Sequence, residues 1–203
     1  MIKELSPPIR SAVVPAPLSA ARRSAWLRSF AIVLAGSAMV AVCARVSLPL
    51  YFTPVPLSLA PLAVLILGLV LHPRLAAATL CAYLAEGALG LPVFASTPIA
   101  MGGLAHLLGP TGGYLLSYPL AAALIAFLVR KMDRRFVAAA FSAAAGSLVI
   151  LGCGALWLAT LTHASAEAVV KLAVLPFLPG DALKVLAAAA LAAGWVRVRR
   201  QDA

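Results

Sequence analysis

Six apolar runs, separated by arginine-bearing turns and by segments rich in proline and glycine, set the pattern of this chain. The first extends from Ala25 to Leu48, carries only Arg28 and Arg45, and stops at Pro49. The second, Leu62–Leu71, stops at His72, Pro73 and Arg74, where the Pro-Arg pair marks a tight turn. The third, Leu75–Leu91, is alanine-rich and holds Glu86 in its second half. Tyr114–Val129 and Phe136–Thr160 follow, separated by Arg130, Lys131, Arg134 and Arg135. The sixth, Asp181–Val196, is followed by Arg197, Arg199 and Arg200. A membrane-spanning helix takes about 20 residues, so the pattern predicts an all-α membrane protein with six transmembrane helices. The second run spans only with residues borrowed from the segment before it.

Three segments break the helical pattern. Pro49–Pro61 has prolines at 49, 54, 56 and 61, each fixing φ and lacking an N–H. It reads as an extended loop or a lid. Irregular backbone at membrane depth is tolerated only where protein or a cavity covers it. Gly90–Gly113 is a long glycine- and proline-rich loop carrying His106, and loops of that length are more often functional than decorative. A loop histidine without partners reads as solvated. Thr162–Pro179 is a connector in which Glu167 and Lys171 have the spacing of a short surface helix.

Composition sharpens this picture. The chain is 64% hydrophobic and 11% charged, with a mean hydropathy of +1.04, whereas soluble domains carry about 25% charge. The net charge of +10 sits between apolar runs, not on one basic face with aromatics. That position argues against a nucleic-acid partner and for the positive-inside rule. With the amino terminus in the cytoplasm, thirteen of the sixteen basic residues fall on the inner side, leaving Arg45, Lys171 and Lys184 outside. Both termini are then cytoplasmic. Residues 1–24, which hold no apolar core of a cleavable signal peptide, form a mobile tail ahead of a single membrane domain over 25–200.

The three irregular segments and the start of the sixth run then share the outer face, as a binding cup would. Asp181 and Lys184 lie three residues apart, on one helix face, and ionisable groups so close to hydrocarbon usually face a cavity, a partner or a ligand. The structural alternative is a helix N-cap at Asp181 with a snorkelling lysine beside it. Glu86 is a ligand contact, a neutral carboxyl or an interface residue. Ala31, Ala35 and Ala38 form a small-residue stripe suited to close approach of another helix, inside this chain or from a partner. Cys43, Cys81 and Cys153 show no paired spacing and read as small buried hydrophobes. The chain has no nucleotide-cradling motif, metal-ligand cluster or nucleophile–base set, so no enzyme, cofactor or metal is expected.

Several blocks in order resemble a known family: Thr53-Pro-Val-Pro-Leu-Ser-Leu, Ala63-Val-Leu, Gly90-Leu-Pro-Val-Phe, Leu108-Gly-Pro-Thr-Gly-Gly-Tyr-Leu-Leu and Pro179-Gly-Asp-Ala-Leu-Lys. They are similar to the BioY family, the biotin-capturing substrate (S) components of energy-coupling-factor (ECF) importers. The resemblance covers roughly residues 30–196 and implies a six-helix subunit of the bacterial cytoplasmic membrane that binds biotin near the outer face. It implies ligand contacts by Asp181 and Lys184, with Glu86 the candidate for the polar residue at the end of the third helix. It also implies that the proline- and glycine-rich loops act as covers. Ala31 and Ala35 would dock the transmembrane coupling subunit, which works with ATPase subunits. After Leu59 family members often carry Gln, where this chain has Ala60.

Biotin offers a carboxylate, a ureido group with two N–H donors and a carbonyl, and an apolar bicyclic ring. Lys184 suits the carboxylate or the ureido oxygen, and Asp181 or Glu86 suits the ureido N–H groups. Tyr114, Phe94 and Tyr51 are candidates for the ring faces. An S component for another vitamin, or a membrane assembly protein whose polar pair only staples a helix start, are the alternatives. A homo-oligomer is compatible with all three.

Overall fold

The computed structural model describes residues 20–96, 102–132 and 136–201. Eight helices and one two-stranded ladder occur among them. Helix α1 spans Ala20–Arg45, so it starts within the expected tail. The remainder of that tail lies outside the described residues, as do Arg134 and Arg135.

The proline-rich segment is a hairpin. Strand β1 (Ser47–Leu48) pairs antiparallel with β2 (Leu57–Ser58), in the register Ser47 to Ser58 and Leu48 to Leu57. Helix α2 (Ala60–Val70) has a proline in its first turn, where its missing N–H costs nothing. At 11 residues it is only about 16 Å long, and α3 (Pro73–Ala88) about 24 Å. The long loop contains a short helix, α4 (Leu104–Leu108), and α5 begins at Gly112 and continues to Lys131. Helix α6 covers Phe136–Thr162, α7 Ala166–Ala173 and α8 Leu178–Gln201. The expected surface helix is α7, closed by a Lys171–Glu167 bridge of 2.6 Å with both side chains exposed.

Among the described residues three helices, α1, α5 and α6, are long and apolar enough to cross a membrane. A fourth span results if α7 and α8, bent by 51° at their junction, are counted together. Leu34 and Val42 of α1, Leu120 and Phe127 of α5, Phe141, Leu148 and Leu156 of α6, and Leu183 and Leu191 of α8 all point outward. Such continuous apolar cover is what a lipid environment requires.

Helix α5 lies centrally, against α2, α3 and α6, while α8 packs on α6 and α2, and α1 on α2 and α3. The two ends of the bundle are packed differently. At one end Leu65, Ile125, Val129, Ala143, Ala188 and Ala189 form a dense core. Ile125 fits between two glycines there: a Cβ on Gly68 would come within 2.8 Å of it and one on Gly146 within 2.3 Å. At the other end, where the hairpin and α4 lie, aromatic and polar side chains join the apolar ones around a cavity.

Candidate ligand-binding site

Two motifs shape that cavity by local backbone chemistry. Gly90, at φ +94°, ends α3: its N–H bonds to the Gly87 carbonyl at 3.0 Å and the Leu91 N–H to the Glu86 carbonyl at 3.1 Å. This is a Schellman ending, which a residue without Cβ adopts at no steric cost. It folds Leu91–Phe94 back so that the Phe94 ring covers Gly87, where a Cβ would lie 2.0 Å from the ring. In the second motif the Trp157 indole donates to the Gly109 carbonyl at 2.9 Å. Gly113 lets α5 start flush on α6, since a Cβ there would fall 2.2 Å from Trp157. Tyr114 is thereby aimed into the bundle, its ring against Gly154 and its hydroxyl donating to the Ala173 carbonyl at 2.7 Å.

The cavity holds about 580 Å³ of space, counting its open mouth. The hairpin contributes Val55, Pro56 and Ser58, α5 contributes Thr111, Tyr114 and Tyr118, α3 Tyr83, α6 Ile150, and the α7–α8 connector Phe177. Its polar floor is Asp181 and Lys184 in the first turns of α8, each 8% exposed. Lys184 Nζ donates to Asp181 Oδ1 at 3.0 Å, and Ser147 Oγ of α6 donates to Asp181 Oδ2 at 3.1 Å. Because α8 starts at Leu178, Asp181 is not the N-cap. It lies inside the first turn, where a carboxylate also suits the helix dipole. Among the described residues no buried side-chain nitrogen or oxygen lacks a partner, and no group of three His, Cys, Asp or Glu residues could hold a metal ion.

The structure thus brings together Asp181, Lys184 and Tyr114, but not the other three candidates. Glu86 is half-buried and faces α1, accepting from Ser37 Oγ at 2.5 Å. Tyr83, one turn earlier on α3, occupies the cavity wall instead. Phe94 is buried in a second row, edge-on to Tyr83 at 5.4 Å and stacked on His106 at 5.0 Å. Tyr51 lies at the exposed tip of the hairpin, because the register turns only the returning arm inward. Ala60 lines the cavity without a polar group. Ala31 and Ala35 are exposed on α1, whose buried face is Gly36, Ser37, Val40 and Ala44. The small-residue stripe is therefore not used for internal packing.

Reading the residues one at a time missed Tyr83, Tyr118, Ser147 and the burial of His106. Tyr118 alone carried a signal, since it lies four residues after Tyr114 and shares its helix face. His106 is buried, not solvated, because α4 packs on α5 and α3.

An outward-apolar helix bundle with a polar-floored cavity among its described residues defines a multi-pass membrane protein. The chain belongs to the BioY family, whose profile matches residues 15–201. It is 39% identical over 155 residues to the probable biotin transporter BioY of Pyrococcus horikoshii, covering 76% of this chain and 88% of that protein. It is 31% identical over 160 residues to the biotin transporter BioY2 of Lactococcus lactis subsp. cremoris, covering 79% and 85%. The fold is similar to a crystal structure of the S-component for biotin from an ECF-type ABC transporter, with a TM-score of 0.77 at 23% identity, over 87% of this chain and 93% of that one.

Proposed function

We propose that this chain captures biotin, as the substrate-binding subunit of a vitamin importer of the energy-coupling-factor type. One observation carries the reading: a BioY-family chain with a buried Asp181–Lys184–Ser147 floor beneath apolar and aromatic walls. A carboxylate accepts about four hydrogen bonds and an ammonium donates three. Asp181 uses two acceptor positions and Lys184 one donor inside the protein, so both keep capacity for a ligand. That remainder matches a ureido group, with its N–H donors toward Asp181 and its carbonyl toward Lys184. The ion pair is neutral as a unit, which favours a polar, uncharged head group at the floor and leaves the carboxylate tail toward the mouth. Tyr114, Tyr118 and Ile150 supply flat and apolar faces for the bicyclic ring, a usual design for ligand sites.

The protein works as a transport component, not as an enzyme. We read six spans with both termini in the cytoplasm of a bacterial cell and the cavity at the outer face of the cytoplasmic membrane. Arg22 and Arg23 at the start of α1, Arg28 in the same half of that helix, Arg74 at the start of α3, and Arg130 and Lys131 at the end of α5 support this orientation, since all lie away from the cavity end. The exposed Ala31 and Ala35 support docking of a coupling subunit, with ATPase subunits supplying the energy. The test is a thermal-shift panel on the purified protein with biotin, thiamine and riboflavin, paired with retention of labelled biotin. Biotin alone is expected to stabilise, and Asp181→Asn and Lys184→Ala to abolish retention in a folded protein. Stabilisation by another vitamin, or by none, would refute the assignment.

A further inference from the structure

Behind the hairpin lies a second, wider hollow, about 1320 Å³ counting its open side. Arg45, at the end of α1, lines it together with Ser47, Ser96 and the hairpin tip around Pro54. The two hollows adjoin at the end of α1 and along the hairpin. Ala44, Val55 and Ala95 face the inner cavity, while their chain neighbours Arg45, Pro54 and Ser96 face the outer one.

Charge distinguishes the two. The inner floor is neutral, because Lys184 is bonded to Asp181. At the same end of the bundle Lys171 is bonded to Glu167, and Glu86 is engaged by Ser37. Arg45 thus faces no carboxylate among the described residues: the three described acids are held elsewhere. An exposed guanidinium over a hollow walled by proline, Leu50 and Phe52 raises the local concentration of anions, and it is suited to bidentate contact with a carboxylate. The hydroxyls of Ser47 and Ser96 border the same space.

We propose that this outer hollow is a receiving site for carboxylate-bearing ligands, with Arg45 drawing the anion to the hairpin before it passes into the inner cavity. The inference rests on the reading of the inner cavity as the biotin site. It makes Arg45 a determinant of the association rate, separate from the affinity set at Asp181 and Lys184.

The test measures biotin association and dissociation on the full-length protein in phosphatidylcholine nanodiscs. Arg45→Gln is expected to slow association by roughly 3–10-fold at low salt, with dissociation unchanged, and the difference should vanish at high salt, where screening shortens the reach of the charge. Arg45→Lys should restore most of the rate. Biotinamide, which lacks the negative charge, should associate equally with both proteins. Equal biotin rates for wild type and Arg45→Gln, or the same slowing with biotinamide, would overturn the proposal while leaving the inner site intact. So would a variant altered only in its stability in phosphatidylglycerol nanodiscs, since Arg45 would then hold a lipid phosphate. A wild-type protein that takes up no biotin would overturn the reading of the inner cavity and this proposal with it.

Discussion

Separating the two roles of the floor, stability and recognition, calls for a double-mutant cycle on Asp181 and Lys184. At 3.0 Å and an effective dielectric near 20, the pair attracts by about 5 kcal/mol, much of it offset by the desolvation of two ions. Lys184→Met leaves a buried carboxylate with only the Ser147 hydroxyl, a change that typically costs about 3–5 kcal/mol. That corresponds to roughly 6–20 °C in Tm on the scale of soluble domains of this size. Asp181→Asn leaves the ammonium facing an amide oxygen and should cost about 2–3 kcal/mol. The double variant buries no charge, retains an amide for Ser147, and should fall within about 1 kcal/mol of wild type. Thermal unfolding of the four proteins in detergent, with labelled-biotin retention measured alongside, reads the cycle. All three variants should lose retention. A double variant as unstable as Lys184→Met, or one that still retains biotin, would refute the argument that the pair is a neutralised unit kept for binding.

The other predictions probe shape and partners. Gly154→Ala places a methyl carbon 2.2 Å from the Tyr114 ring. It should cost about 1–3 kcal/mol and weaken biotin binding, whereas Gly152→Ala, which meets nothing within 4 Å, should change neither on the same thermal-shift assay. Tyr114→Phe deletes the hydroxyl bond to the Ala173 carbonyl and should cost about 1–3 kcal/mol, because the buried carbonyl is left unpaired. Glu86→Gln can still accept from Ser37, so biotin affinity measured by calorimetry should stay within about twofold, against a cavity residue's tenfold loss per 1.4 kcal/mol. Ala35→Trp on the exposed face of α1 should leave biotin retention by the purified subunit intact but reduce energised uptake in cells that carry the coupling and ATPase subunits.

Much of this protein was readable from its sequence, because a bilayer imposes a simple rule on a linear string. Apolar runs, arginine-bearing turns and breaks at Pro49–Pro61 and Gly90–Gly113 mark out the helices and the irregular segments. A charged pair at Asp181 and Lys184 stands out against hydrocarbon wherever the chain folds. Helix-face spacing also linked Asp181 to Lys184 and exposed the Ala31–Ala35 stripe, since such relations depend only on the 3.6-residue repeat. Which side chains meet across elements depends instead on register and contact angle, which no local pattern encodes. Glu86 and Tyr83 lie one turn apart on α3, yet one faces Ser37 of α1 and the other the cavity. Tyr51 and Val55 belong to one hairpin, and only the strand pairing sends the second inward. Ser147 is an ordinary helical serine until α6 lies beside α8, and His106 an ordinary loop histidine until α4 packs beneath Phe94. Sequence alone determined that a polar site lies in an apolar bundle. The partners around that site were decided only by tertiary packing, because each depends on the close approach of surfaces far apart in the chain.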